Sequence, residues 1–216
     1  MMSKEGVDYR FGFPLRVRSP EAYLADGKPN IAITSIARQL FDFASSWTFT
    51  DVNRATVLQA GEALSKALKG RSKLLQSDQA LRELSIIDSK AAELMEDNLK
   101  RMREDPKVAA VLEKRGSDAR IAELQELLEK EHYLFVINKT MLILFGILSE
   151  ETKESGILGE VTVLGQQLFD ALLGQVGQLK ADPNTQPELI ASDYDTKVKI
   201  GEQVTANNKI LMQRRG

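Results

Sequence analysis

YLFVINKTMLILFGIL, residues 133–148, decides how this chain folds. Only Asn138, Lys139 and Thr140 interrupt its apolar character, and it is far longer than a usual strand of about 5–6 residues. It therefore reads as a helix that is apolar all round, which a soluble chain carries where neighbouring helices enclose it. A polar link follows, Ser149-Glu-Glu-Thr-Lys-Glu-Ser155, and then a second apolar helix over 157–180. The stripe of that helix is Ile157, Leu158, Val161, Leu164, Leu168, Leu172, Val176 and Leu179, dotted with Gly159, Gly165, Gly174 and Gly177. The two helices predict a hairpin over 133–179.

Such a hairpin has more than one use. Inside a bundle it is the central pair of helices. Released, it enters a membrane in the manner of helical pore formers. The first arm spans roughly 24 Å as a helix, short of the ~30 Å hydrocarbon core. Lys139, near its middle, opposes insertion by roughly 2.5–3.5 kcal/mol. Core packing is the first expectation, membrane entry the second and a groove for a partner protein the third. Phe135, Leu142, Phe145, Leu164, Leu168 and Leu172 carry all three.

Working outward, the helical period continues on both sides. Ser117 or Asp118 opens one long pattern running to about 150, amphipathic in its first half through Ile121, Leu124, Leu127 and Leu128. Asp182-Pro183-Asn184 marks a turn, and a last helix over 187–213 carries Ile190, Tyr194, Val198, Gly201, Val204 and Leu211. In 72–104, Leu84, Ile87, Ala91, Leu94 and Asn98 follow 3-4 spacing, widened by Leu81, Met95, Leu99 and Met102. Two to three heptads suit a coiled coil or an ordinary bundle helix, with Asn98 at the boundary of the apolar face. Pro106 ends this helix and starts a short one that Gly116 closes. Upstream, Thr50 or Asp51 caps a helix with the stripe Val52, Ala55, Leu58, Leu64 and Leu68, ending at Gly70 as a C-cap. Ile36, Leu40 and Phe43 mark a helix over 34–45.

Residues 1–33 differ from the rest. Pro14, Pro20 and Pro29 sit beside Gly6, Gly12 and Gly27, and this punctuation prevents long helices. Phe11-Gly-Phe-Pro-Leu-Arg-Val-Arg18 alternates apolar and basic residues at its end, as an extended arm or edge strand does. Ser19-Pro20 then offers an N-cap and first helical residue for a short helix over 20–25. Tyr9, Phe11, Phe13, Arg16 and Arg18 are the candidate contacts to a partner, the alternative being an arm that folds back to cover one end of the bundle.

The chemistry-bearing residue types are sparse. There is no cysteine, which removes disulfides, thiolate nucleophiles and cysteine metal sites. The one histidine, His132, stands in Glu129-Lys-Glu-His132, the E-x-x-H spacing of di-iron bundles, but such sites need a second copy. No nucleophile elbow and no glycine-rich phosphate loop occurs. Asn138-Lys139-Thr140 fits a glycosylation sequon, yet it lies in an apolar helix rather than a surface loop. The 29 basic and 31 acidic residues give a net charge of −2, without the basic excess of a nucleic-acid binder. The first residues lack the apolar core of a secretory signal, so the expected compartment is the cytoplasm.

The expectation is an all-α, elongated bundle of about seven helices, several long with coiled-coil-like packing. An irregular arm over 1–33 precedes the bundle domain, 34–216. No residue pattern is specific enough to name a family. Elimination points to a non-enzymatic structural or adaptor subunit of a larger protein assembly, such as a secretion, conjugation or phage machine. Its partners are other protein subunits, a second copy of the chain among them, with no cofactor and no small-molecule ligand evident. The alternative is a membrane-active protein that inserts 133–179.

Overall fold

Capping residues set most of the helix starts. In the computed structural model, which describes residues 18–116 and 118–214 together with the backbone of Val7–Asp8 and Leu15–Arg16, the Ser19 hydroxyl accepts the Ala22 N–H and opens α1, Pro20–Ala25. Pro29 begins α2, Pro29–Ser46, and Thr50 accepts the Asn53 N–H to open α3, Asp51–Leu75. Asp105 and Asp118 cap α5, Pro106–Lys114, and α6, Ala119–Glu129, in the same way. These caps satisfy amide donors that a helix leaves orphaned at its first turn. The remaining helices are α4, Arg82–Glu104; α7, Tyr133–Thr152; α8, Leu158–Ala181; and α9, Pro187–Gln213. The fold is an all-α bundle, with nine α-helices among the described residues. Val7–Asp8 (β1) and Leu15–Arg16 (β2) pair antiparallel, with Val7 opposite Arg16 and Asp8 opposite Leu15.

The apolar run quoted first becomes the centre of the molecule. Helix α7 touches α2, α3, α6, α8 and α9, which explains why it is apolar all round. Phe145, Leu144, Leu148, Ile137 and Met141 are fully enclosed. Helix α3 packs on α4 and α7, α2 on α4, α7 and α8, and α9 on α7 and α8. A single apolar cluster runs through all of them.

Four boundaries differ from the sequence reading. Helix α2 begins at Pro29 rather than Thr34, and Tyr23 of α1 is buried, so residues 20–33 belong to the bundle rather than to an irregular arm. Proline at a first helical position starts a helix as readily as it ends one. Gly70 does not cap α3. The helix runs on to Leu75, and Gly70 leaves room for the Tyr133 ring, which an added Cβ would overlap. The true start of the next segment is Asp78, whose carboxylate accepts the Ala80 N–H ahead of a 3₁₀ turn, Gln79–Leu81.

The third and fourth concern the long pattern 118–150. It breaks at Glu131, whose φ of 58° places it in the left-handed region, and the His132 N–H closes the α6 terminus on the Leu127 carbonyl at 2.9 Å. That conformation usually calls for glycine, so nothing in the sequence announces it. At the other end Ser149 to Thr152, read as a polar link, remain helical. Ser149 accepts an amide N–H from Asn207 at 2.9 Å, and Thr152 is buried, so polar side chains here face the core rather than water.

Candidate docking groove

Helices α4 and α8 both lie against α2 and diverge from each other over its outward face. The space between them is an open groove of about 670 Å³. Its floor is α2, through Thr34, Ser35, Arg38, Gln39 and Phe43. Ile87, Lys90, Ala91 and Leu94 of α4 form one wall. Glu160, Val163, Leu164 and Gln167 of α8 form the other. Each helix contributes an i, i+3, i+4, i+7 set, so each presents one continuous stripe two turns long. Arg18, Ser19, Pro20, Glu21 and Tyr23 close one end. The lining is apolar at the centre and charged at the rim, and its volume is that of a ligand or peptide site.

A buried ion pair holds the floor to one wall. Arg71 of α3 donates from Nε to Asp88 Oδ2 at 2.7 Å and from Nη2 to Asp88 Oδ1 at 2.8 Å. The Thr34 hydroxyl donates to Asp88 Oδ1 at 2.8 Å and accepts from Arg71 Nη2 at 2.7 Å. The Asp88 carboxylate is completely inaccessible to solvent. Three helices therefore meet on one carboxylate directly beneath the groove, and the two-pronged geometry fixes their register.

The rim is tied together as well. Arg18 pairs with Asp26 and lies over the Tyr23 ring at 5.5 Å. Burial, with the Glu83 charge adding to it, holds the Tyr23 hydroxyl above the usual tyrosine range. Gln167 donates to Glu21 across the end of the groove, while its Oε1 is buried without a partner. Lys28 reaches Glu83 at 2.6 Å and ties α2 to the start of α4. These contacts set the groove end rigidly; the apolar middle has no such closure, and Val163 is 56% exposed.

The residues singled out from the sequence fall in three places. Tyr9, Phe11, Phe13 and the side chain of Arg16 lie outside the described residues. Arg18 is exposed and stands at the groove end. Phe135, Phe145, Leu164, Leu168 and Leu172 are buried, and Leu142 is half-buried. Lys139 pairs with Glu123 at 2.9 Å, and Asn138 is wholly buried. His132 precedes α7 with its Nδ1 buried and unpartnered, edge-on to the Phe135 ring. Among the described residues no three or more His, Asp or Glu side chains are placed to hold a metal ion.

The groove walls were only half visible in the sequence. Ile87 and Leu94 read as part of a seam, but α4 buries Leu84, Asp88, Ala91, Met95, Leu99 and Met102 instead. Ile87 and Leu94 are half-buried at the edge of that stripe, as is Asn98. The signal that could have found the groove is the excess width of the α4 apolar face over what one neighbour needs.

A second polar cluster joins α7, α8 and α9. Asn138 donates to Asp193 Oδ1 at 2.7 Å and Gln175 donates to its other oxygen. Burial raises the Asp193 carboxyl above the ordinary aspartate range, with the two amide donors and the Lys139 charge pulling the other way. Asn207 to Ser149 forms a second clamp between α9 and α7. Comparison with protein-family models, with curated proteins and with solved structures found no match for this chain.

Proposed function

We propose that this chain is a structural or adaptor subunit of a larger protein assembly, working by contact through the groove between α2, α4 and α8. The observation that carries the reading is the groove itself: an open apolar trough of about 670 Å³ with Ile87, Leu94 and Val163 on its walls and charge confined to its rim. Three stripes of the same helical spacing, two turns long, suit an apolar polypeptide segment better than a small polar substrate. Aliphatic side chains left at the surface in one patch mark contact sites more often than chance exposure does.

The full chain, tagged and returned to its own cells, is expected to run above its 24.1 kDa monomer mass in size-exclusion chromatography with light scattering. Val163→Asp and Leu94→Glu should return it to monomer mass with unchanged helicity. Val163 is exposed enough that the charge leaves the fold intact. Assembly that survives both substitutions would remove the groove from the account.

A second reading rests on α7. It is the one helix among the described residues that is long and apolar enough to cross a membrane, although most of it is buried here. Its 20 residues span roughly 30 Å, the thickness of a hydrocarbon core. Under this reading the chain releases dye from anionic vesicles. Tight vesicles in the presence of correctly folded protein would count against it.

A further inference from the structure

The groove opens at one end on Arg18, Ser19 and Pro20, so the chain enters the bundle along the groove's own axis. The residues just before that point read Phe11-Gly-Phe-Pro-Leu-Arg-Val17. In an extended segment, alternate side chains share a face. Phe11, Phe13, Leu15 and Val17 then form an apolar face opposite Gly12, Pro14 and Arg16. The backbone of Leu15–Arg16 is extended.

Dimensions agree with this match. The wall from Ile87 to Leu94 rises roughly 10.5 Å along α4. Residues 11–17 extended cover roughly 23 Å, enough to run its length from Arg18. The groove offers Phe43, Ile87, Ala91, Leu94, Val163 and Leu164 to such a face.

We infer that the groove is the seat of residues 11–17 of the same chain, and that a partner binds by displacing them. The inference rests on the groove being a docking surface and names its resident. Continuity selects the occupant: the segment is tethered at the groove mouth, so its effective concentration there far exceeds that of a free peptide or a second copy.

The absence of cysteine from the sequence makes the test clean, because two introduced thiols are the only ones present. The full chain carrying Leu15→Cys with Leu94→Cys, or Leu15→Cys with Val163→Cys, is oxidised at low protein concentration. Leu15→Cys with Leu74→Cys serves as control, since Leu74 is exposed on α3, which does not line the groove. The groove pairs should form a disulfide within one chain on the order of tenfold faster than the control. Equal rates for groove and control pairs overturn the inference. Disulfides that form only between chains overturn it too, and would assign the segment to the groove of a second copy. Loss of assembly in Val163→Asp without groove crosslinking sinks this inference alone. Crosslinking with assembly untouched by Val163→Asp sinks the docking function alone.

Discussion

Replacing Arg71 by Met should destabilise the chain far more than its one lost side chain suggests. The Asp88 carboxylate lies at 0% exposure and takes both donors from Arg71 plus the Thr34 hydroxyl. Methionine fills similar volume but strands the carboxylate with Thr34 alone. Breaking a buried pair from one side costs about 3–5 kcal/mol, a large share of the roughly 5–15 kcal/mol that holds a domain together. With a urea m-value of about 2–3 kcal/mol/M, the midpoint should fall by about 1–2 M. The double variant Arg71→Met, Asp88→Leu should recover most of the loss. It leaves no stranded charge, and the Thr34 hydroxyl keeps an acceptor in the Asn30 carbonyl at 3.3 Å. Lys28→Met, at the half-exposed pair with Glu83, is the control and should change stability by less than about 1 kcal/mol. The assay is urea unfolding followed by circular dichroism at one temperature and salt. A single variant as mild as the Lys28 control, or a double variant as unstable as the single, would refute the reasoning.

Asp193→Asn should stabilise the chain at pH 7. Burial raises the folded carboxyl pKa, so ionisation is disfavoured by the fold and wild-type stability grows as pH falls through that raised value. The variant's advantage should shrink over that window and vanish below the ordinary value of 3.8; an advantage independent of pH would show that ionisation of Asp193 is not its source. Asp193→Ala should instead cost about 2–6 kcal/mol, because it strands the Asn138 and Gln175 donors at about 1–3 kcal/mol each. Gly165→Ala puts a methyl into the enclosed Phe145 ring and should cost about 1–2 kcal/mol net of its helix propensity, with Phe145→Leu relieving the clash in a double-variant unfolding series. Glu131→Gly should raise stability by about 0.5–1 kcal/mol in the same assay, since glycine adopts the left-handed backbone without strain.

What the sequence revealed and what it concealed follow one physical division. Apolar periodicity and capping chemistry are local, so α1, the starts of α3, α5 and α6, and the enclosed character of α7 were all legible before any coordinate. The breaks at 76–81 and at Glu131 were less so. The first was hidden because Gly70 offered a competing stop, the second because a glutamate holds a glycine's conformation. Buried polar residues were the least legible. Asp88, Asn138, Asp193 and Asn207 read as solvent-facing points on helices, because their partners lie 14 to 58 residues away in sequence or on another helix altogether. Only the fold brings the complementary groups together.

The candidate site was misread for a related reason. At 100° per residue, the buried positions Leu84, Asp88, Ala91, Met95, Leu99 and Met102 cluster on one line of α4, and Ile87 and Leu94 lie roughly 80° round from it. The 3-4 spacing of Leu84, Ile87, Ala91, Leu94 and Asn98 runs between the two lines, so one heptad reading averaged two faces. Asp88 separates them in chemical terms. A carboxylate on the seam is tolerable only with Arg71 and Thr34 fixed against it, which locks α2, α3 and α4 in one arrangement. That lock keeps α4 from rolling over α2 to bury Ile87 and Leu94 itself. The groove therefore stays open because a polar cluster beneath it prevents the apolar walls from collapsing, and an apolar segment from elsewhere in the chain or from a partner is what the exposed walls are left to receive.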